Sequence, residues 1–331
     1  MGGSNQRIKL SKTEEYKTIN VKEEISDIVV MKYGHTVIST TNGKIEIYNP
    51  QYFNLFTSKQ FQTSRINTIC EVHNNYLAIG SDDNTIKILN ILEKEKIETV
   101  QTLNEHNYPI IQILFLSNGQ ICSLDLDNNI ILYKKKLNGY VFNGKLRKGF
   151  FSYSSIFQVN EDEIICSSTN EGIKFWSMYY SVQDYKIKGI RIEDYKDIHK
   201  IKNILLNPGK NVFCNVNKEI VGGLGLDCIY LINIIRHDVE KKINFENVFF
   251  SCIITLSDGT FLLSQNDIIN FSNRTIVQYK TNDNGDKWDV MSKKEFKESD
   301  EIKFIVQANN NTVITGKKIQ FDVWKQGDND D

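Results

Sequence analysis

Three residues of this 331-residue chain have the types of a hydrolytic set: His106, Ser123 and Asp127. A serine activated by a histidine that a carboxylate orients is the arrangement of acyl-transfer enzymes. Other constellations are weaker. Gly222-Gly223-Leu224-Gly225 looks like part of a phosphate loop, but no Lys-Ser/Thr follows and no helical pattern succeeds it. A β-turn between strands accounts for these glycines. The five histidines, His35, His73, His106, His199 and His237, never cluster, and the carboxylates are scattered singly. Cys70, Cys122, Cys166, Cys214, Cys228 and Cys252 form no C-x-x-C pair, and five of the six fall in apolar strand candidates. Metal-ligand spacing is absent, so neither a metal nor another cofactor is expected. Buried free thiols point to a reducing, intracellular setting, the cytoplasm with the nucleus left open.

The elements that carry these residues are short and apolar at period two. Tyr76–Asn90, YLAIGSDDNTIKILN, reads as two strands joined by the polar turn Ser81-Asp82-Asp83-Asn84. The same outline returns as TVISTTNGKIEIYN, QICSLDLDNNIILY, EIICSSTNEGIKFW and EIVGGLGLDCIYLIN. Ile25, Ile66 and Ile110 open successive units, a spacing of 41 and then 44 residues, which is the period of four-stranded propeller blades. Seven units can be drawn. The last, IKFIVQA, TVITGK and IQFDVWK, lacks a strand, while Tyr16–Val21 is a strand without a local partner. The two deficits complement each other. The expectation is an all-β, seven-bladed β-propeller of four-stranded antiparallel blades, closed by the N-terminal strand completing the last blade. It occupies residues 16–325 as a single domain, between a flexible start over 1–15 and a disordered acidic tail over 326–331. The segment 177–211 reads as an insertion on which the blade count depends.

Hydrophobic residues at 40% and charged residues at 24% supply an ordinary core, and the formal net charge of −1 speaks against a nucleic-acid partner. No apolar run reaches the roughly 20 residues of a membrane span. The polar start MGGSNQRIKLSKTEE lacks a secretory core. Gly2 fits a myristoylation site poorly, because Gln6 stands where Ser or Thr is wanted.

The repeat resembles the WD-repeat β-propeller family over roughly residues 16–325, most sharply in LNEHNYPIIQILFLSNGQICSLDLDNNIILY. There His106 stands at the family's loop histidine, Ser123 in the second strand, Asp127 in the turn and Tyr133 at the usual tryptophan. The resemblance implies that these four form a hydrogen-bonded brace inside the blade, and a buried His and Asp need each other's bonds. That reading displaces the catalytic one, because the serine would point into the sheet. Elsewhere Leu89 and Tyr48 replace the tryptophan. Trp176 occupies its place, but Cys166 and Asn170 replace the Ser and Asp.

Family members generally bind partners on the face built by loops entering the first strand and loops joining the second and third. Here those loops carry Arg65, Asp82, Tyr108, Asp125, Tyr153 and Asn170. The function implied is a non-enzymatic scaffold or adaptor in a larger complex, docking a protein or peptide, with no small-molecule substrate and no membrane among the expected partners. Two alternatives remain. Lys145-Leu146-Arg147-Lys148-Gly149 is similar to the Phe-Arg-Arg-Gly signature of phosphoinositide-binding propellers, with departures at Leu146 and Lys148, and a propeller hydrolase would need converging carboxylates or histidines. The outer lysines Lys134-Lys135-Lys136 read as guards against edge pairing. Tyr179-Tyr180-Ser181-Val182-Gln183-Asp184-Tyr185, with Tyr195 and His199, reads equally as an interface or as packing of the insertion.

Overall fold

A computed structural model describes residues 13–61, 64–73, 76–91, 97–146, 153–161, 163–168, 172–179, 191–194, 212–225, 227–267, 274–282, 287–296, 301–309 and 312–326. Among these residues there are 28 strands and no helix, arranged in seven four-stranded sheets. The chain divides into two compact units, Ser26–Ile204 and a second made of Met1–Ile25 with Leu205–Asp331.

The first unit holds four sheets, each a run of consecutive strands. They are β2 to β5 (Ile25–Val30, Thr36–Thr40, Lys44–Tyr48, Leu55–Gln60) and β6 to β9 (Ile66–His73, Tyr76–Ser81, Ile86–Ile91, Ile97–Leu103). Then come β10 to β13 (Ile110–Phe115, Ile121–Asp125, Ile130–Lys136, Gly139–Leu146) and β14 to β17 (Tyr153–Gln158, Glu163–Ser168, Gly172–Tyr179, Arg191–Asp194). The period-two pattern sends alternate side chains to opposite neighbours. Leu77 and Ile79 of β7 pack with Val37, Ile45 and Ile47 of the preceding sheet. Ala78 between them packs with Ile110, Ile113 and Ile121 of the following one. Both faces of the inner strands are therefore buried, and only the fourth strands, such as β5 and β9, read as mostly polar and exposed.

Polar stitches join successive first strands. In ISDI, INTI and IIQI the third residue bonds to the next sheet's first strand. The Asp27 carboxylate accepts from Ile69 N at 2.7 Å, Thr68 Oγ1 from Ile113 N at 3.2 Å, and Gln112 both accepts from Ile156 N and donates to its carbonyl, at 2.8 and 2.9 Å. Near the strand ends a side chain reaches back the other way: Glu71 accepts from Lys32 N and Gln158 from Ser117 N. Each stitch satisfies backbone groups that burial would otherwise leave costly.

The second unit holds β18 to β21 (Phe213–Asn215, Ile220–Leu224, Cys228–Asn233, Asp238–Asn244) and β22 to β25 (Val248–Thr255, Phe261–Asp267, Arg274–Thr281, Trp288–Phe296). Its third sheet is β26 to β28 (Phe304–Asn309, Thr312–Gly316, Gln320–Gln326), completed by β1 (Thr13–Asn20), which lies antiparallel to β28 with Thr18 opposite Asp322. The N-terminal strand thus fills the missing place in the last sheet. It starts earlier than expected: Thr13 is buried and Glu14 and Glu15 are exposed on an edge strand, so apolar alternation could not mark the beginning. Residues 13–15 are therefore strand and not a flexible start, while 1–12 lie outside the described residues. Inside this sheet Lys317 and Asp322 form an ion pair at 2.9 Å, both nearly inaccessible. Thr18 Oγ1 of β1 donates to the same carboxylate at 2.8 Å. Gly222 and Gly223 belong to β19 and pair with Cys214 and Phe213, which overturns the turn reading. Their place is a packing matter: a Cβ on Gly222 would come within 2.9 Å of Cys214 Sγ.

Candidate functional site

The loop before β10 lowers His106 into the sheet, where its side chain is 1% exposed. Nδ1 lies 2.8 Å from Asp125 Oδ2, and Nε2 lies 2.7 Å from Ser123 Oγ. The carboxylate of the brace is therefore Asp125, where the sequence reading placed Asp127. Asp125 ends β11 with its side chain inward, and Asp127 sits two residues later, half-exposed in the turn. Asn129 completes the site, its backbone N and side-chain amide both donating to Asp125 at 2.8–3.0 Å. Burial alone would raise the Asp125 carboxyl, but the bonds from His106 and Asn129 outweigh it and hold the pKa below its ordinary value. Tyr133 is fully buried, and burial, together with the charges of Glu105 and Asp125, drives its phenol far above the usual range. With Ser123 and Asp125 at 0% exposure, no substrate carbonyl can approach the hydroxyl. The set has triad chemistry without triad access.

The position of Tyr133 recurs in other sheets. Tyr48 and Tyr279, like Tyr133, stand opposite the first residue of a second strand, and Trp324 stands opposite the second residue, Val313. Each finds a polar partner: Tyr48 donates to Glu46 at 2.7 Å, Gln265 donates to Tyr279 at 2.7 Å, and Trp324 Nε1 donates to Thr315 at 3.0 Å. The tryptophan-to-hydroxyl bond of the resemblance is thus made in the last sheet, by a residue the sequence reading passed over. Its signal was there, in a tryptophan closing the third strand of the unit.

On the loop end of the first unit, Arg65 and Asp82 are both exposed, and Asp82 N donates to the Arg65 carbonyl at 3.0 Å. One sheet along, Leu126 N donates to the Pro109 carbonyl at 2.8 Å. The residues equivalent to Arg65 and Asp82 are therefore Pro109 and Leu126, one position beyond the expected pair Tyr108 and Asp125. The turn geometry is repeated faithfully, with Asn84 and Asn128 at φ 66° and 65° closing back onto Ser81 and Asp125. Asp125 is removed from the partner-binding set because its side chain is consumed in the brace. What reaches solvent there is Leu126, 64% exposed, beside Tyr108, 45% exposed. Asn84 Nδ2 donates to the Asn107 carbonyl and Asn67 Nδ2 to both Asp82 and the Ile110 carbonyl, so Arg65, Asp82, Tyr108 and Leu126 share one tied surface. Tyr153 opens β14 opposite Ser168, the strand position of Ile66 and Ile110, and is not a loop residue. Asn170 lies outside the described residues, as do Tyr180–Tyr185, Tyr195, His199 and 147–149 of the second basic run.

Among the described residues no three of His, Cys, Asp or Glu converge on a possible metal position. No disulfide joins any of the six cysteines, and burial pushes Cys122, Cys214 and Cys252 up to about 12.

No protein-family model matches the chain, and no curated protein does. Solved structures do. The WD40 β-propeller domain of Doa1 aligns at a TM-score of 0.69 and 14% identity, covering 95% of this chain and 97% of that one. The RRP9 WD40 repeats align at 0.69 and 10%, covering 95% and 100%, and U3-55K at 0.70 and 9%, covering 96% and 99%. The fold is that of a WD40-type β-propeller, with seven blades of four antiparallel strands.

Proposed function

From a WD40-type propeller whose triad-like residues are sealed in a blade, we propose a non-enzymatic docking scaffold that captures a protein or peptide in an intracellular, cytoplasmic complex. The observation that carries this is the surface joining Arg65, Asp82, Tyr108 and Leu126. Two largely apolar side chains reach solvent on these loops, with an exposed cation and an exposed carboxylate on the loops of the preceding sheet. An aromatic anchor with a charged rim is the usual anatomy of a binding hot spot. Structural neighbours of this fold are usually non-enzymatic scaffolds, which supports the reading without naming a partner.

The test is capture of partners from native extract by tagged protein. Arg65→Glu combined with Tyr108→Ala should reduce recovery of the main partner at least tenfold, a loss of about 1.4 kcal/mol or more. The melting temperature should hardly change, because both side chains are exposed. Capture unchanged by this pair and by Leu126→Ser would place docking elsewhere.

A further inference from the structure

The hairpin joining β12 to β13 carries a second surface that neither the brace nor the loop face uses. Its tip is Lys134-Lys135-Lys136-Leu137-Asn138-Gly139, and Leu137 is 105% exposed. A two-residue hairpin turn calls for Asn, Asp or Gly, so the turn itself has no use for leucine. Strand pairing puts Lys134 and Lys136 on one face of the hairpin, opposite Val141 and Gly139, and Lys135 on the other face, opposite Tyr140. The charge of Lys135 reaches His73 of the neighbouring sheet. The tip is thus bracketed by cations on both sides. None of the three lysines makes an ion pair among the described residues, and no acidic residue occurs between Lys134 and Leu146 in a chain whose charges otherwise balance. Val141 and Phe142 of β13, 36% and 48% exposed, add apolar surface on the two faces of the hairpin.

The root of this hairpin is fixed. The Gln101 side chain of β9 clasps the Tyr140 backbone, donating to its carbonyl at 2.5 Å and accepting from its N–H at 2.7 Å. Gly139 lies at φ 124°, and a Cβ there would run into the Gln101 amide. The clasp holds the strand while Leu137 projects beyond it.

We propose that this hairpin is a contact site for an anionic lipid bilayer: Leu137 enters the interface, and Lys134, Lys135 and Lys136 lie among the acidic headgroups. A convex apolar tip needs an apolar medium, and flanking lysines that can bury their stems while keeping their charge in water suit the headgroup boundary. This departs from the sequence expectation that no membrane is among the partners, and it rests on a different stretch from the 145–149 run. In a meandering sheet the turn between third and fourth strands opens at the opposite end from the turn between second and third. The lipid contact and the Arg65–Leu126 surface therefore leave each other free.

Sedimentation with vesicles tests it. Full-length protein should bind phosphatidylcholine vesicles containing about a third phosphatidylserine, bind pure phosphatidylcholine at least tenfold more weakly, and be released as salt screens the headgroups. Leu137→Ser and, separately, Lys134→Gln with Lys135→Gln and Lys136→Gln should each lower binding roughly tenfold or more. Leu137→Trp, an equally exposed change, should raise it. Circular dichroism should match the parent in all three. No binding to acidic vesicles, or binding indifferent to Leu137, overturns the proposal. Tight binding of a single-stranded RNA oligonucleotide that needs the lysines but not Leu137 would also overturn it, by making the site a phosphate-backbone contact.

Discussion

Asp125 and Asp127 are separated by two residues and by the full difference between core and solvent. Asp125 takes bonds from His106 and Asn129, so its protonation breaks a buried network, whereas Asp127 occupies a half-exposed turn. His106→Ala is expected to destabilise by roughly 1–3 kcal/mol in denaturant unfolding, because Asp125 and Ser123 lose a buried partner. Asp125→Ala should cost at least as much, and Asp127→Ala should stay within about 0.5 kcal/mol. Equal effects at the two aspartates would refute the assignment. The Asp125 carboxyl is held below its ordinary 3.8 in the folded chain, so its contribution is complete above that pH. It is lost as pH falls from there through the lower folded pKa. Asp125→Asn should therefore flatten part of the acid limb of a stability-versus-pH profile, with little change in its shape near neutrality.

At the level of elements, the last sheet is held by a strand from the far end of the chain. Deleting residues 1–22 removes β1, its pairing with β28 and the Thr18 bond to Asp322. A large drop in melting temperature should follow, while removal of 1–12 leaves β1 intact and should be nearly silent. Similar tolerance of both deletions would mean that β1 is not needed for closure. Within the same sheet, Asp322→Ala strands the Lys317 ammonium in the interior and is expected to cost about 3–5 kcal/mol. The inner strands set a different limit. A Cβ on Gly80 of β7 would come within 2.6 Å of Ile110 and 2.7 Å of Thr68, so Gly80→Ala should destabilise by roughly 1–3 kcal/mol through overpacking. Calorimetry of that one variant measures how closely these two sheets approach.

For the molecule as a whole, burial on both faces of most strands should also govern its thiol chemistry. Cys70 is half-buried, and the other five cysteines lie in the core. Brief alkylation of native protein, read by peptide mass spectrometry, should modify Cys70 first and leave the remaining five protected until denaturant is added. Rapid native labelling of Cys122 or Cys166 would show that the seam between their sheets opens readily.

The sequence by itself determined the number of units, their strand order and the N-terminal completion of the last sheet. Those follow from short-range regularities, namely apolar alternation, turn residues and a repeat spacing, which local chemistry enforces. It also marked His106 and Ser123 as a pair. Tertiary structure decided the rest. Whether Asp125 or Asp127 faces the histidine depends on where β11 ends: two residues apart, they would share a face of a continuous strand, and the turn that begins at Leu126 carries Asp127 away from it. Both aspartates belong to the same LDLD run, so composition could not separate them. A separate one-residue offset moved the loop pair from Tyr108 and Asp125 to Pro109 and Leu126, and brought a leucine to the surface at a position where turn chemistry predicts a polar residue. The stitches at Asp27, Thr68 and Gln112 were equally hidden, because each is defined by a bond to a strand some forty residues away in the chain. A hydrophobic pattern reports which side of a strand is buried, and only the packed neighbours determine which polar atoms on that side find one another.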